Sequence, residues 1–149
     1  MSSSGFTTNH LAVIGLGLMG GGIAMAMRDR CDTITGMDLD ANTRQYAIDN
    51  KIVDRATDDL KDAVKDADIV IMAVSYEEVE FTYRDIRQSL RDGVVILDMS
   101  PLKQPSLNWA KSYLTSEQHL IGMTAIVNPR YIFDTKEAVE EAEEDLFDH

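Results

Sequence analysis

Between Leu11 and Gly22 the chain reads Leu-Ala-Val-Ile-Gly-Leu-Gly-Leu-Met-Gly-Gly-Gly: four apolar residues that run straight into glycines at 15, 17 and 20. A strand ending in this way must turn sharply at its carboxyl end and start a helix close behind it. A second run, Thr33-Ile-Thr-Gly-Met37, closes on Asp38, 23 positions after Gly15 and 18 after Gly20. Strand, glycine turn, helix and acid in that order suit a dinucleotide. Gly15 permits the turn, Gly17 lets the backbone approach a pyrophosphate, and Gly20 lets the helix pack near the sheet. The amides of Leu18 and Met19 then meet phosphate at the positive end of the helix dipole. Asp38 accepts hydrogen bonds from ribose hydroxyls and repels a 2′-phosphate, so the expected cofactor is NAD rather than NADP.

Two simpler readings compete for the same stretch. Leu11 to Met27 carries no charge over 17 residues, near the lower length for a membrane span, and Gly17 with Gly21 forms a G-x-x-x-G. Five glycines within it, no Lys or Arg before Arg28, and further apolar runs downstream argue against both a span and a signal peptide.

The chain has 149 residues, 44% hydrophobic and 27% charged, the balance of one soluble domain. Residues 1–9 read as a loose leader and 10–149 as the dinucleotide-binding domain. A formal charge of −12 argues against nucleic acid and anionic membrane as partners, since both need clustered Lys and Arg. Much of that charge lies from Asp134 onward, where eight acids face Lys136 alone, and a solvated helix face is the expectation there. Cys31 is the only cysteine, which excludes an internal disulfide and fits a reducing cytoplasm. It reads as a packing residue, because a nucleophilic thiol needs a base beside it.

Apolar runs at Leu11–Ile14, Thr33–Met37, Ile69–Val74, Val94–Leu97 and Leu120–Val127 alternate with helix candidates at Gly20–Asp29, Ala41–Asn50, Leu60–Lys65, Glu77–Leu90, Pro105–Leu114 and Thr135–Phe147. Runs apolar at every position belong to strands covered on both faces, so the pattern predicts a doubly wound (Rossmann) α/β fold with a parallel sheet. Within the fourth helix, Val79, Tyr83, Ile86 and Leu90 recur at helical spacing and should form its buried stripe. Ligands of such sheets bind at the carboxyl ends of the strands.

That rule sorts the polar residues. His10 and His119 precede strands, at the end away from the cofactor, and His149 is terminal, so none of the three suits a general base. No metal-ligand spacing stands out. At the carboxyl ends lie Ala73-Val74-Ser75, expected under the middle of the cofactor, and Asp98-Met-Ser-Pro-Leu-Lys103 across the crevice. Asp98 joins the cofactor set, while Ser100 and Lys103 are the catalytic candidates. Ser100 has the hydroxyl to hold a nicotinamide amide or a substrate, and Lys103 the charge to hold a carboxylate. Simple turn chemistry is the competing reading of Ser100-Pro101. Arg130 is a further candidate for an acidic substrate.

These stretches resemble the NAD-binding domain of the prephenate dehydrogenase family and, more distantly, the β-hydroxyacid and 6-phosphogluconate dehydrogenases. The resemblance rests on Val13 to Gly21 with Ala24, Ala26 and Arg28, on Ile34 to Asp38, Val53-Asp54, Ala67 to Val74, and on Val95 to Asp98 ending at Lys103. It runs from about Leu11 to about Val127. It implies an NAD(P)-dependent oxidoreductase that moves hydride between nicotinamide and a small carboxylated hydroxy or cyclic substrate. It also implies a C-terminal helical domain, outside this chain, that completes the pocket and makes a homodimer. Two positions depart from the family pattern. Pro101 stands where a serine belongs in Asp-x-x-Ser-x-Lys, with Ser100 one place early, and Thr124-Ala125 stand where His-Pro belongs. The alternative, motivated by the missing base, is a non-catalytic NAD(H)-sensing binding module.

Overall fold

The computed structural model describes residues 8–128, 139–143 and 145–147, and in it six strands form one parallel sheet. They are β1 (Thr8–Ile14), β2 (Cys31–Met37), β3 (Arg55–Thr57), β4 (Ile69–Met72), β5 (Val95–Asp98) and β6 (His119–Gly122), in the order β3-β2-β1-β4-β5-β6. Between them run α1 (Leu18–Ala26), α2 (Ala41–Asp49), α3 (Leu60–Val64), α4 (Tyr76–Ile86) and α5 (Lys103–Tyr113). The alternation of strand and helix is therefore the one the apolar runs predict.

Side chains of a strand point alternately to its two faces. Leu11 and Val13 of β1 join a core with Ile23 and Ala24 of α1 and Ala47 of α2. Ala12 and Ile14 join the opposite core, with Val64 of α3, Val79, Tyr83 and Ile86 of α4, and Ala110 of α5. All four β1 residues are fully buried, and each larger side chain removed from water contributes about 1.5 to 3 kcal/mol. The predicted stripe of α4 is the buried one, Leu90 included, although the helix itself stops at Ile86.

Three elements differ from the sequence expectation. β3 is a three-residue edge strand with no apolar run to announce it. Its place is prepared by the residue before it, Asp54, whose carboxylate accepts a hydrogen bond from Ile34 N at 2.7 Å and from Arg28 at 2.6 Å. β6 ends at Gly122, well short of Val127. Among the described residues it pairs only with β5, and Ile121 (53% exposed) and Ile126 (71%) face solvent, so here an apolar run does not mean a strand covered on both faces. β1 begins at Thr8, two residues inside the expected leader.

The acidic tail differs too. Residues 129–138, which include Arg130 and the start of the expected last helix, lie outside the described residues. Val139–Glu141 form one turn of 3-10 helix where an α-helix is expected, and Val139 and Leu146 are buried against α1 while Glu140 and Glu143 are exposed. A Cβ at Gly21 would lie 3.0 Å from Val139 Cγ2, and one at Gly22 would lie 2.6 Å from Leu146 Cδ2. Two of the glycines in the opening run therefore make room for the tail.

Candidate functional site

From β1 the chain moves to β2 and β3 on one side and then crosses to β4 on the other, so a crevice opens where β1 and β4 end side by side. Gly15 leaves β1 at that point with φ of 90°, a conformation costly for any residue with a Cβ. A Cβ there would also lie 2.4 Å from the Ala73 carbonyl oxygen, just past β4. At Gly20 a Cβ would stand 1.8 Å from the Gly15 carbonyl, so only glycine lets α1 start this close to the strand. Gly17 precedes the first turn of α1, which has neither a side-chain cap nor an acid. The amides of Leu18, Met19 and Gly20 have no partner within the helix, and an anion is the natural acceptor for them.

Asp38 closes the other side of this turn. Its Oδ2 accepts from Leu16 N at 3.0 Å and its Oδ1 from Asp40 N at 2.9 Å, while Gly15 N donates to Met37 O at 2.8 Å. A carboxylate accepts about four hydrogen bonds, so capacity remains for hydroxyl donors. Arg44 braces the segment by donating to the carbonyls of Asp38 (2.8 Å) and Leu39 (2.9 Å) and pairing with Asp58 at 3.5 Å. A cleft of about 490 Å³ opens beside Asp38, with Leu39, Leu60, Val74 and Phe81 as apolar walls and Asp58, Asp59, Glu78 and Asp85 as acidic lining. Glycine cradle, open amides and an acid beside an apolar cleft fit a dinucleotide.

A second, smaller pocket of about 240 Å³ lies at the ends of β4, β5 and β6, lined by Met19, Ala73, Val74, Met99, Pro101, Thr124 and Ala125. Val74 thus lines both pockets and Ala73 the smaller one, as their place after β4 suggests. Ser75 is the exposed N-cap residue of α4, and its hydroxyl donates to Glu78 Oε2 at 2.8 Å.

The residues expected across the crevice form a closed network. Asp98 is fully buried; its Oδ2 accepts from Tyr83 Oη at 2.8 Å and its Oδ1 from Ser100 N at 2.7 Å. Its carboxylate lies inside the end of β5 and lines neither of these two pockets, where the sequence expectation is a place in the cofactor set. Ser100, 3% exposed, shares its hydroxyl with Ser106 Oγ at 2.8 Å. Lys103 Nζ donates to the carbonyls of Asp98 (3.3 Å), Ser100 (2.5 Å) and Met123 (2.5 Å). The ammonium of Lys103 can meet a substrate only by giving up one of these bonds. Burial first, then the charge of and hydrogen bond to Asp98, pushes the Tyr83 phenol far up, so it stays a neutral donor.

Sequence reasoning placed Tyr83 only as an apolar stripe residue. The signal for its second role was its hydroxyl, which needs a partner once buried. His10 bonds Thr35 through Nε2 at 2.8 Å and His119 opens β6, both away from the crevice as expected. Burial pushes the Cys31 thiol up against the pull of Arg28, in keeping with a packing role.

Comparison with known proteins agrees with this geometry. The sequence profile of the "Prephenate dehydrogenase, nucleotide-binding domain" family matches residues 23–149. The cyclohexadienyl dehydrogenase of Zymomonas mobilis is 32% identical over 96 residues, covering 63% of this chain and 33% of that protein. The prephenate dehydrogenase of Bacillus subtilis is 27% identical over 115 residues, covering 75% and 31%. The chain thus spans about a third of the length of the curated relatives it matches. Among solved structures, prephenate dehydrogenase from A. aeolicus in complex with hydroxyphenyl propionate and NAD+ superposes with a TM-score of 0.82 at 19% identity, over 97% of this chain and 49% of that one. With the glycine turn, the switch point and the matched profile in agreement, this chain belongs to the prephenate dehydrogenase nucleotide-binding-domain family.

Proposed function

We propose that this chain is the cofactor-binding part of an NAD-dependent dehydrogenase acting on a small, cyclic, carboxylated substrate of the kind its relatives are named for. The observation that carries the reading is the meeting of Asp38 with the glycine turn, 3.0 Å from Leu16 N, at the switch point of the sheet. The amides at Gly17 to Gly20 hold the pyrophosphate and Asp38 holds the ribose hydroxyls. Leu39, Leu60 and Phe81 enclose the adenine end, and Ala73, Val74 and Ser75 support the middle of the cofactor. The acids around the cleft, with Arg44 already engaged, oppose the extra charge of a 2′-phosphate and favour NAD over NADP. When bound, the nicotinamide supplies the hydride chemistry.

On this reading Met19, Met99, Pro101 and Thr124 wall the pocket that keeps water from the reacting carbon. Ser100 and Lys103 set the edge that a substrate carboxylate approaches. Membership in a family of dehydrogenases favours catalysis over a purely sensing role. The homodimer and the rest of the substrate pocket are assigned to sequence outside this chain, and the protein to the cytoplasm. Among the described residues no helix is long and apolar enough to cross a membrane.

Titration calorimetry with NAD tests the reading. Binding is expected, with Asp38→Ala weakening it by about tenfold or more through loss of charge-assisted hydrogen bonds. Absence of heat at millimolar NAD, or an unchanged affinity in the variant, overturns it.

A further inference from the structure

Lys103 is the first residue of α5, where the helix dipole opposes a cation. Three carbonyls compensate, and they take up the three donors of the ammonium. Two of them, of Asp98 and Ser100, belong to the end of β5 and its loop; the third, of Met123, follows β6. These two stretches also build walls of the smaller pocket, the first through Met99 and Pro101 and the second through Thr124 and Ala125. The lysine stem lies over Gly122, where a Cβ would come within 3.3 Å of Lys103 Cδ. A single ammonium thus ties together two walls that no described backbone hydrogen bond joins beyond Met123 N to Asp98 O.

We propose that Lys103 is a positioning residue whose carbonyl cage sets the width of this pocket, and so the seat of the nicotinamide end of the cofactor. The proposal rests on the dinucleotide reading above, in which the adenosine end fills the Asp38 cleft and the other end crosses Gly15 into the pocket. Lys103 acts through the backbone of Ser100 and Met123 and does not itself touch the ring. The adenosine cleft shares none of the caged carbonyls, so the two ends of the ligand should respond differently to its loss.

The experiment compares NADH with ADP-ribose, which lacks the nicotinamide ring, on the full chain. Lys103→Met, which keeps the stem and removes the charge, is expected to weaken NADH by about tenfold and leave ADP-ribose within about twofold. The fluorescence gain of the reduced ring on binding should fall with it. Gly122→Ala crowds the stem while keeping the charge, and is expected to weaken NADH by about threefold with ADP-ribose again unchanged. If the methionine variant does not fold, the alanine variant decides alone. Equal losses for both ligands, or no loss for either, overturn the positioning role. Absence of binding of both ligands to the unsubstituted chain overturns the dinucleotide reading along with it.

Discussion

The two sides of the crevice are built on opposite plans. Around β1 and β2 the groups that line the crevice are open: helix amides without a cap, a carboxylate that is only partly buried, and a cleft with apolar walls and an acidic lining. Around β5 and β6 the polar groups are closed upon one another, Tyr83 on Asp98, Asp98 on Ser100, Ser100 on Ser106, and Lys103 on three carbonyls. The polar groups of one side are left accessible, whereas those of the other are buried against one another. Substitutions on the first should therefore show in affinity, and on the second in stability and in the fit of whatever fills the pocket.

The hardest strain on this contrast comes from Gly20→Ala. Its Cβ meets a backbone oxygen that cannot swing aside, so α1 must leave the strand end. A loss of about 3 kcal/mol or more in urea unfolding is expected, together with loss of NAD binding. An alanine variant that melts like the parent would mean that the close approach of helix and turn is not required.

Asp38→Asn sharpens the comparison on the open side. It removes the charge and leaves one of the two backbone amides, Leu16 N or Asp40 N, without its carboxylate oxygen, so NAD should weaken by about 10- to 100-fold and stability should fall by about 1 kcal/mol. The preference for NAD over NADP should shrink in the same measurement, since the repulsive charge nearest the ribose is gone.

On the closed side, Tyr83→Phe leaves the buried carboxylate of Asp98 with one donor fewer. A cost of about 1 to 2 kcal/mol is expected, read as a lower urea midpoint at unchanged slope. ADP-ribose affinity should stay where it was.

The smallest effect concerns pH and lies outside both sides. The hydrogen bond from Arg55, then that from Lys65, holds Asp62 at about 2, below the usual 3.8. At Asp54, burial works to raise the pKa, but the hydrogen bonds from Arg28 and Ile34 N prevail and the net shift is downward. A carboxylate lowered on folding stabilises the native state above its unfolded value and loses that contribution as pH falls through its folded value. Melting temperature should therefore hold steady down to about pH 4 and decline from there toward about pH 2. Asp54→Asn should flatten that decline slightly, and an unchanged profile would remove Asp54 from the acid response.

What could be read directly was what depends on neighbours in sequence. The glycine turn, the acid 23 positions later and the stripe Val79-Tyr83-Ile86-Leu90 all follow from local periodicity or from the backbone freedom of particular residues. β3 was not legible, because Arg55–Thr57 has too few residues for a pattern and owes its place to β2 alongside it. The extent of β6 is not legible for the converse reason: Leu120 to Val127 looks like a covered strand, yet among the described residues it pairs with β5 alone. Asp98 stands at the end of its strand as the sequence predicts, and its bond to Tyr83 is not legible there, since sequence does not tell which way a carboxylate turns.

The order of elements, the parallel sheet and the glycine turn were thus determined by the sequence itself, through the φ that Gly15 tolerates and the runs of apolar residues that must leave water. The occupation of Asp98 by Tyr83, the caging of Lys103 and the packing of Val139 and Leu146 over Gly21 and Gly22 were decided only in three dimensions. Each joins residues distant along the chain, and hydrogen bonds and close contacts of that kind depend on where the sheet brings its strand ends together.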